Sequence, residues 1–137
     1  MNQLTNLNWI SVSIAFVAYF VLGALWFTLL FAKQYRISLG KVNEELNNKK
    51  PIFIVGPMLC TLVITVADAL LFDALNINTF GAALEFSLVV GVGFLVANTL
   101  NIAINPNMPR PIHYGIISGV YHLAGILIAN SILVAMN

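Results

Sequence analysis

Residues 52–75 read IFIVGPMLCTLVITVADALLFDAL, and this stretch decides the fold. At about 1.5 Å per residue it reaches roughly 36 Å as a helix, enough to cross a hydrocarbon core of about 30 Å. Its only charged side chains are Asp68 and Asp73, and no alternation of period two marks it as a barrel strand. Three more runs of this kind flank it, at residues 8–31, 80–103 and 112–136. Together they leave no room for a soluble domain. The expected architecture is an all-α membrane protein of four transmembrane helices in an antiparallel bundle, with residues 1–137 forming one integral membrane domain.

Composition points the same way. The 137 residues are 60% hydrophobic and 8% charged, and mean hydropathy is +0.92. A soluble domain carries about 25% charge, so this chain cannot cover a water-facing surface. The formal net charge of +1, with no basic face, argues against nucleic acid as a partner. A single cysteine, Cys60, excludes a disulfide scaffold, CxxC redox chemistry and cysteine-rich zinc motifs. Residues 1–8 carry no side-chain charge, and the following apolar run is longer than a signal-peptide core, so a retained first span is expected.

The cationic side chains set the expected orientation. Lys33, Arg36, Lys41, Lys49 and Lys50 fall in loop 32–51, and Arg110 falls between the third and fourth runs. All six lie on one side, which the positive-inside rule makes cytoplasmic and which puts both termini outside. A bacterial cytoplasmic membrane is the expected location. Val42, Glu45 and Leu46 have helical spacing, so the cytoplasmic loop either lies along the membrane surface or is a solvated linker. Residues 76–79 make a tight connection, whereas Pro106, Pro109 and Pro111 imply an extended, stiff one. Gly56-Pro57 is expected to kink the second helix or delay its start.

Polar side chains inside the apolar runs are the functional candidates, because an unpaired ionisable group in lipid costs several kcal/mol. Counted from the cytoplasmic ends, Ser13, Asp68, Glu85 and Asn130 fall at one depth, about 24–27 Å up at ~1.5 Å per step. Thr61, Thr65 and Asp68 share a helix face at i, i+4 and i+7. Two acids in one layer with no Lys or Arg nearby cannot both ionise cheaply. Either a proton or cation is bound there, or both carboxylates reach a wet outer vestibule. His122 lies near the midplane, as a proton relay or ligand, or as a neutral ring bonded to a neighbour. Gly115, Ser118, His122, Gly125 and Ala129 follow helical spacing as a small-residue stripe, Gly115 and Gly119 form a GxxxG suited to close helix packing, and Asn98 and Asn101 are expected to join helices by hydrogen bonds.

No catalytic residue, metal site or cofactor motif stands out. Small multidrug exporters carry an acid in their first span, membrane glutathione transferases need intramembrane Arg, and quinone-linked thiol oxidoreductases need paired cysteines; none of these features is present.

The first span also carries a string of recognisable residues. Asn8-Trp9 opens it, the stretch from Phe20 through Gly23 and Trp26 to Phe27 follows, then Leu30-Phe31-Ala32-Lys33, and Gly40-Lys41 ahead of Glu44-Glu45. Gly93-Phe94 and Gly119-Val120-Tyr121-His122 continue the likeness. The chain resembles the membrane protein family catalogued as domain of unknown function 1761 (DUF1761), whose pattern has Tyr at the position of Phe27 and Gly at that of Ala32. The resemblance implies four spans and no established activity, and it transfers no catalytic residue. The leading expectation is a small, non-enzymatic transport or permeation subunit in the lipid bilayer, a homo-oligomer or bound to a membrane partner. Its ion- or proton-binding candidates are Asp68, Glu85, Asn130 and His122. The alternative is an accessory or scaffold protein that docks partners through its small-residue faces, and a lipid-acting enzyme with His122 as base ranks third.

Overall fold

Hydrocarbon offers no water to a peptide group, so a spanning segment must bond its own N–H and C=O groups, as a continuous helix does. In the computed structural model, residues 3–44 and 50–136 are described, and every regular element among them is helical. Four helices are long and apolar enough to cross a membrane: Trp9–Leu30 (span 1), Ile52–Leu75 (span 2), Phe80–Ala103 (span 3) and Pro111–Ala135 (span 4). Two short helices, Gln3–Asn6 and Ala32–Ser38, flank span 1. The chain is an all-α, multi-pass membrane protein.

Local chemistry explains where the spans begin and end. Asn8 caps span 1, its side-chain oxygen accepting from the N–H groups of Ile10 and Ser11, both at 3.2 Å. Span 2 ends at Asn76 in the left-handed conformation (φ 54°), an arrangement that asparagine tolerates. The Ile77 N–H closes back on the Phe72 carbonyl at 2.9 Å, and Ile77 buries its side chain. Thr79 then caps span 3 by accepting from Ala82. Pro111 opens span 4 at a position where a missing N–H costs nothing.

Span 2 begins at Ile52, where the sequence places it, with the Pro51 carbonyl accepting from Ile54 and Val55; of the two effects expected of Gly56-Pro57, a delayed start does not occur, and Pro57 sits inside the helix. One connection differs from expectation. The segment before span 4 is a turn, not an extended run, because the Asn105 side chain accepts from Asn107 N–H at 2.9 Å and its carbonyl accepts from Met108. In loop 32–51, Val42 lies in a turn, while Glu45 and Leu46 lie outside the described residues.

The spans alternate in direction. Asn8 donates to the Met136 carbonyl at 2.9 Å, joining the start of span 1 to the end of span 4. Span 4 is the axis of the bundle: half of its apolar window is buried, against about a fifth in each of the others. Glycines create this centrality. A side chain at Gly115 would strike Leu100, and one at Gly119 would press on Val96, so span 3 lies close along that face. On another face the Tyr19 ring fills the space over Gly125, and the Tyr121 hydroxyl fills the space over Gly23. Spans 1 and 4 thus exchange a ring for a notch in both directions. Tyr19 and Tyr121 lie 5.6 Å apart between their ring centroids.

Two π-helical segments interrupt the α pattern. One ends span 1 at Trp26–Leu30, closed by the Phe31 N–H on the Trp26 carbonyl at 2.8 Å. The other occupies Gly91–Val96 within span 3. The helix Ala32–Ser38 then folds against span 4 through Tyr35 and Tyr114, with centroids 5.9 Å apart. Burial, with Tyr114 beside it, pushes the Tyr35 phenol up to about 12, so it stays protonated. The described cations, Lys33, Arg36, Lys41, Lys50 and Arg110, all lie at this end of the bundle.

The notches give a test. Gly125→Ala should lower stability by about 1–3 kcal/mol through overpacking against Tyr19. Gly93→Ala, at a site with nothing within 4 Å, should leave it unchanged or slightly raised. Unfolding in mixed micelles followed by circular dichroism would distinguish the two.

Candidate functional site

The stripe Thr61, Thr65 and Asp68 turns inward, and all three are buried. The two hydroxyls are committed to their own helix: Thr61 to the Pro57 and Met58 carbonyls at 3.0 Å, Thr65 to the Thr61 carbonyl at 2.8 Å. They therefore have no proton left to donate to Asp68. Asp68 is 3% exposed, and its neighbour across the interface is the Asn130 side chain of span 4. Asn130 is wholly buried and donates to the Ser87 hydroxyl of span 3 at 2.9 Å, while Ser87 donates to the Ala83 carbonyl at 2.6 Å. Three spans thus meet at one polar point.

The donors there run out before the acceptors do. Asp68 Oδ2 and Asn130 Oδ1 are both buried and without a hydrogen-bond partner. No Lys or Arg lies in any of the four spans. Leaving a buried acceptor unmade costs about 1–3 kcal/mol, more if charged, so two such oxygens on adjacent side chains call for a further donor. A proton on the carboxyl supplies the missing donor. Among the described residues no group of three His, Cys, Asp or Glu side chains could hold a metal ion.

A second polar contact lies deeper. Tyr19 is fully buried, and its hydroxyl sits 2.9 Å from His122 Nδ1 and 3.4 Å from the His122 carbonyl. A neutral imidazole protonated on Nε2 accepts that hydroxyl at Nδ1. Asp68 lies within electrostatic reach of the Tyr19 phenol, so the two contacts are neighbours across spans 1, 2 and 4. Below them, Tyr121, Phe27 and Trp26 form an aromatic floor, and Trp26 donates to the Ile117 carbonyl at 3.2 Å. Tyr19 was not among the sequence candidates. A phenol in mid-span opposite the only mid-span histidine was the available signal.

Above Asp68 the bundle opens into a crevice of about 40 Å³, edged by Asn6, Asn8, Ser11 and Asp73. That is room for a water molecule. Val12, Ala69, Phe72 and Leu133 form its apolar base. Asp68 does not line it.

The remaining candidates lie elsewhere. Glu85 and Ser13 share the depth of Asp68 but are exposed, on faces turned away from the bundle. Asn98 and Asn101 are also exposed, as is Asp73. Within the chain, then, Asp68 and Asn130 come together, His122 joins Tyr19, and Glu85 and Asn98 join neither. Gly115, Gly119 and Gly125 pack against spans 3 and 1 of the same chain.

A family described as "Protein of unknown function (DUF1761)" matches residues 10–134. No curated protein and no solved structure matches the chain.

The tyrosine–histidine contact predicts a spectroscopic result. In ¹⁵N spectra of His122, the wild type should show Nδ1 as a hydrogen-bonded acceptor and Nε2 protonated. Tyr19→Phe should shift the Nδ1 resonance at a stability cost of about 1 kcal/mol. Tyr19→Ala should cost about 3–5 kcal/mol by emptying the notch.

Proposed function

The chain belongs to the DUF1761 family, and for this member we propose a small transport or permeation subunit in which Asp68 binds a proton or small cation in transit. One observation carries the reading: two adjacent buried oxygens, on Asp68 and Asn130, lack any donor in a bundle whose spans contain no cation. A structural polar cluster is ordinarily satisfied throughout, since a partly satisfied one is worse than an apolar core. A carboxyl that alternates between protonated and ionised forms needs such an incomplete shell.

The crevice edged by Asn6, Asn8, Ser11 and Asp73 supplies water from the end that carries no Lys or Arg, taken as the outer face of a bacterial cytoplasmic membrane. The base made by Val12, Ala69, Phe72 and Leu133 separates that water from Asp68 in this conformation. Opening that base gives Asp68 its proton. Tyr19 and His122 continue the polar line toward the cationic end. Four helices enclose little volume, so a wider path forms between protomers, where the exposed Glu85 would contribute.

The accessory reading retains one specific foothold. Glu85, Asn98 and Asn101 are polar side chains on the exposed face of span 3, where lipid cannot satisfy them and a partner helix could. The small-residue stripe of span 4 no longer serves that reading, since its glycines are occupied within the chain.

Proteoliposomes with an internal pH dye test the proposal. Asp68→Asn should reduce proton flux at least tenfold while circular dichroism and the elution volume stay unchanged. In infrared spectra of the wild type in lipid, a protonated carboxyl band should titrate and should vanish in Asp68→Asn. Flux equal to wild type in Asp68→Asn would sink the transport reading.

A further inference from the structure

Another cavity lies at the opposite end from the crevice, and nothing in the proposed proton route uses it. It is an open cleft of about 330 Å³ walled by Ala32, Lys33, Arg36 and Val42. The fold builds it from a short sequence. Helix Ala32–Ser38 ends with Gly40 in a left-handed conformation (φ +70°), which only glycine adopts freely. The Gly40 N–H bonds the Ile37 carbonyl at 3.1 Å and the Lys41 N–H bonds the Arg36 carbonyl at 3.0 Å. This double closure turns the chain back and sets Val42 opposite Lys33 and Arg36. A side chain at Gly40 would press on the Pro109 ring, so the turn lies close to the span 3–span 4 connection.

The helix can present its cations in one direction only. Tyr35 is packed on Phe27 and Tyr114, and Ser38 is fully buried with its hydroxyl on the Tyr35 carbonyl. Lys33 and Arg36, one turn apart, share the exposed face. Among the described residues, no acidic side chain lines the cleft, and Glu44, two positions past Val42, does not line it. Directly beneath, Leu29 and Leu30 are 70% and 62% exposed, so the cleft sits within a turn of the acyl-chain layer.

From this placement we infer that the cleft binds the phosphate of an anionic phospholipid in the adjoining leaflet. Arg36 offers a planar fork for two phosphate oxygens, Lys33 adds a point charge, and both are expected in that layer. Ala32, Val42 and the aliphatic stems take the glycerol region, while the acyl chains run down over Leu29 and Leu30. A free inorganic anion uses the two charges alone. The apolar walls and the continuity with the lipid-facing end of span 1 favour the lipid.

The test uses the purified full chain in neutral detergent, with native mass spectrometry reading bound lipid. Phosphatidylglycerol should be retained about tenfold more than phosphatidylcholine of the same acyl chains, since each cation near an anionic lipid contributes a several-fold preference. The double variant K33Q/R36Q should lose that preference, K33R/R36K should keep it, and R110Q, which removes one charge at the same end outside the cleft, should keep it too. Equal retention of the two lipids by the unaltered chain overturns the inference, as does an R110Q loss as large as that of K33Q/R36Q. Complete displacement of phosphatidylglycerol by inorganic phosphate overturns it as well and leaves a site for soluble anions.

Discussion

A phenol ring on span 1 fills the notch that a glycine leaves on span 4, and a phenol ring on span 4 reaches the notch on span 1. In lipid no hydrophobic force drives helices together, because acyl chains are as apolar as leucine. Contact must come from shape. The Tyr19–Gly125 and Tyr121–Gly23 exchange supplies that shape at two levels of the bundle, and it fixes how far span 1 can slide along span 4. Placing the Tyr19 ring over Gly125 also delivers its hydroxyl to His122, one helical turn away. The same fit that packs the bundle therefore assembles its midplane polar contact, and the Asp68–Asn130–Ser87 cluster forms where spans 2 and 3 close against this rigid pair.

Polarity inside the bundle is distributed unequally. Serine and threonine hydroxyls are mostly spent on carbonyls one turn back, as at Thr61, Thr65, Ser87 and Ser131. Such groups are self-sufficient and cost the membrane little. The amide and carboxyl side chains cannot do this, and their surplus acceptors accumulate at Asp68 and Asn130. The incomplete shell thus follows from which donors the helix backbones have already claimed.

Much of this was legible in the sequence. Hydropathy alone places all four spans within a residue or so of their observed limits, because lipid thickness and helix rise leave few alternatives. Depth counting brings Asp68 and Asn130 together, since antiparallel helices counted from the same end of the bundle put equal depths side by side. Depth says nothing about azimuth, however, and Glu85 and Ser13, at that same depth, face outward. Tyr19 was missed because a tyrosine in an apolar run looks like one more lipid-facing aromatic until its partner is known. The turn at Asn105 was missed because three prolines suggest extension, whereas a single asparagine side chain was enough to fold the segment.

The π segment at Gly91–Val96 has its own consequence for span 3. Ser87 and Asn98 are eleven positions apart, a spacing that in an unbroken α-helix puts them within about 20° of one face. A π turn accommodates one residue beyond the α repeat and so changes the phase of everything after it by about 100°. Ser87 accordingly points at Asn130, while Asn98 and Asn101 point outward. The π winding of 91–96, more than residue identity, selects which amides the bilayer meets. The same residues wound as an unbroken α-helix would keep their composition and hydropathy yet turn both asparagines toward the face of Ser87, exchanging a polar exterior stripe for a second interior cluster.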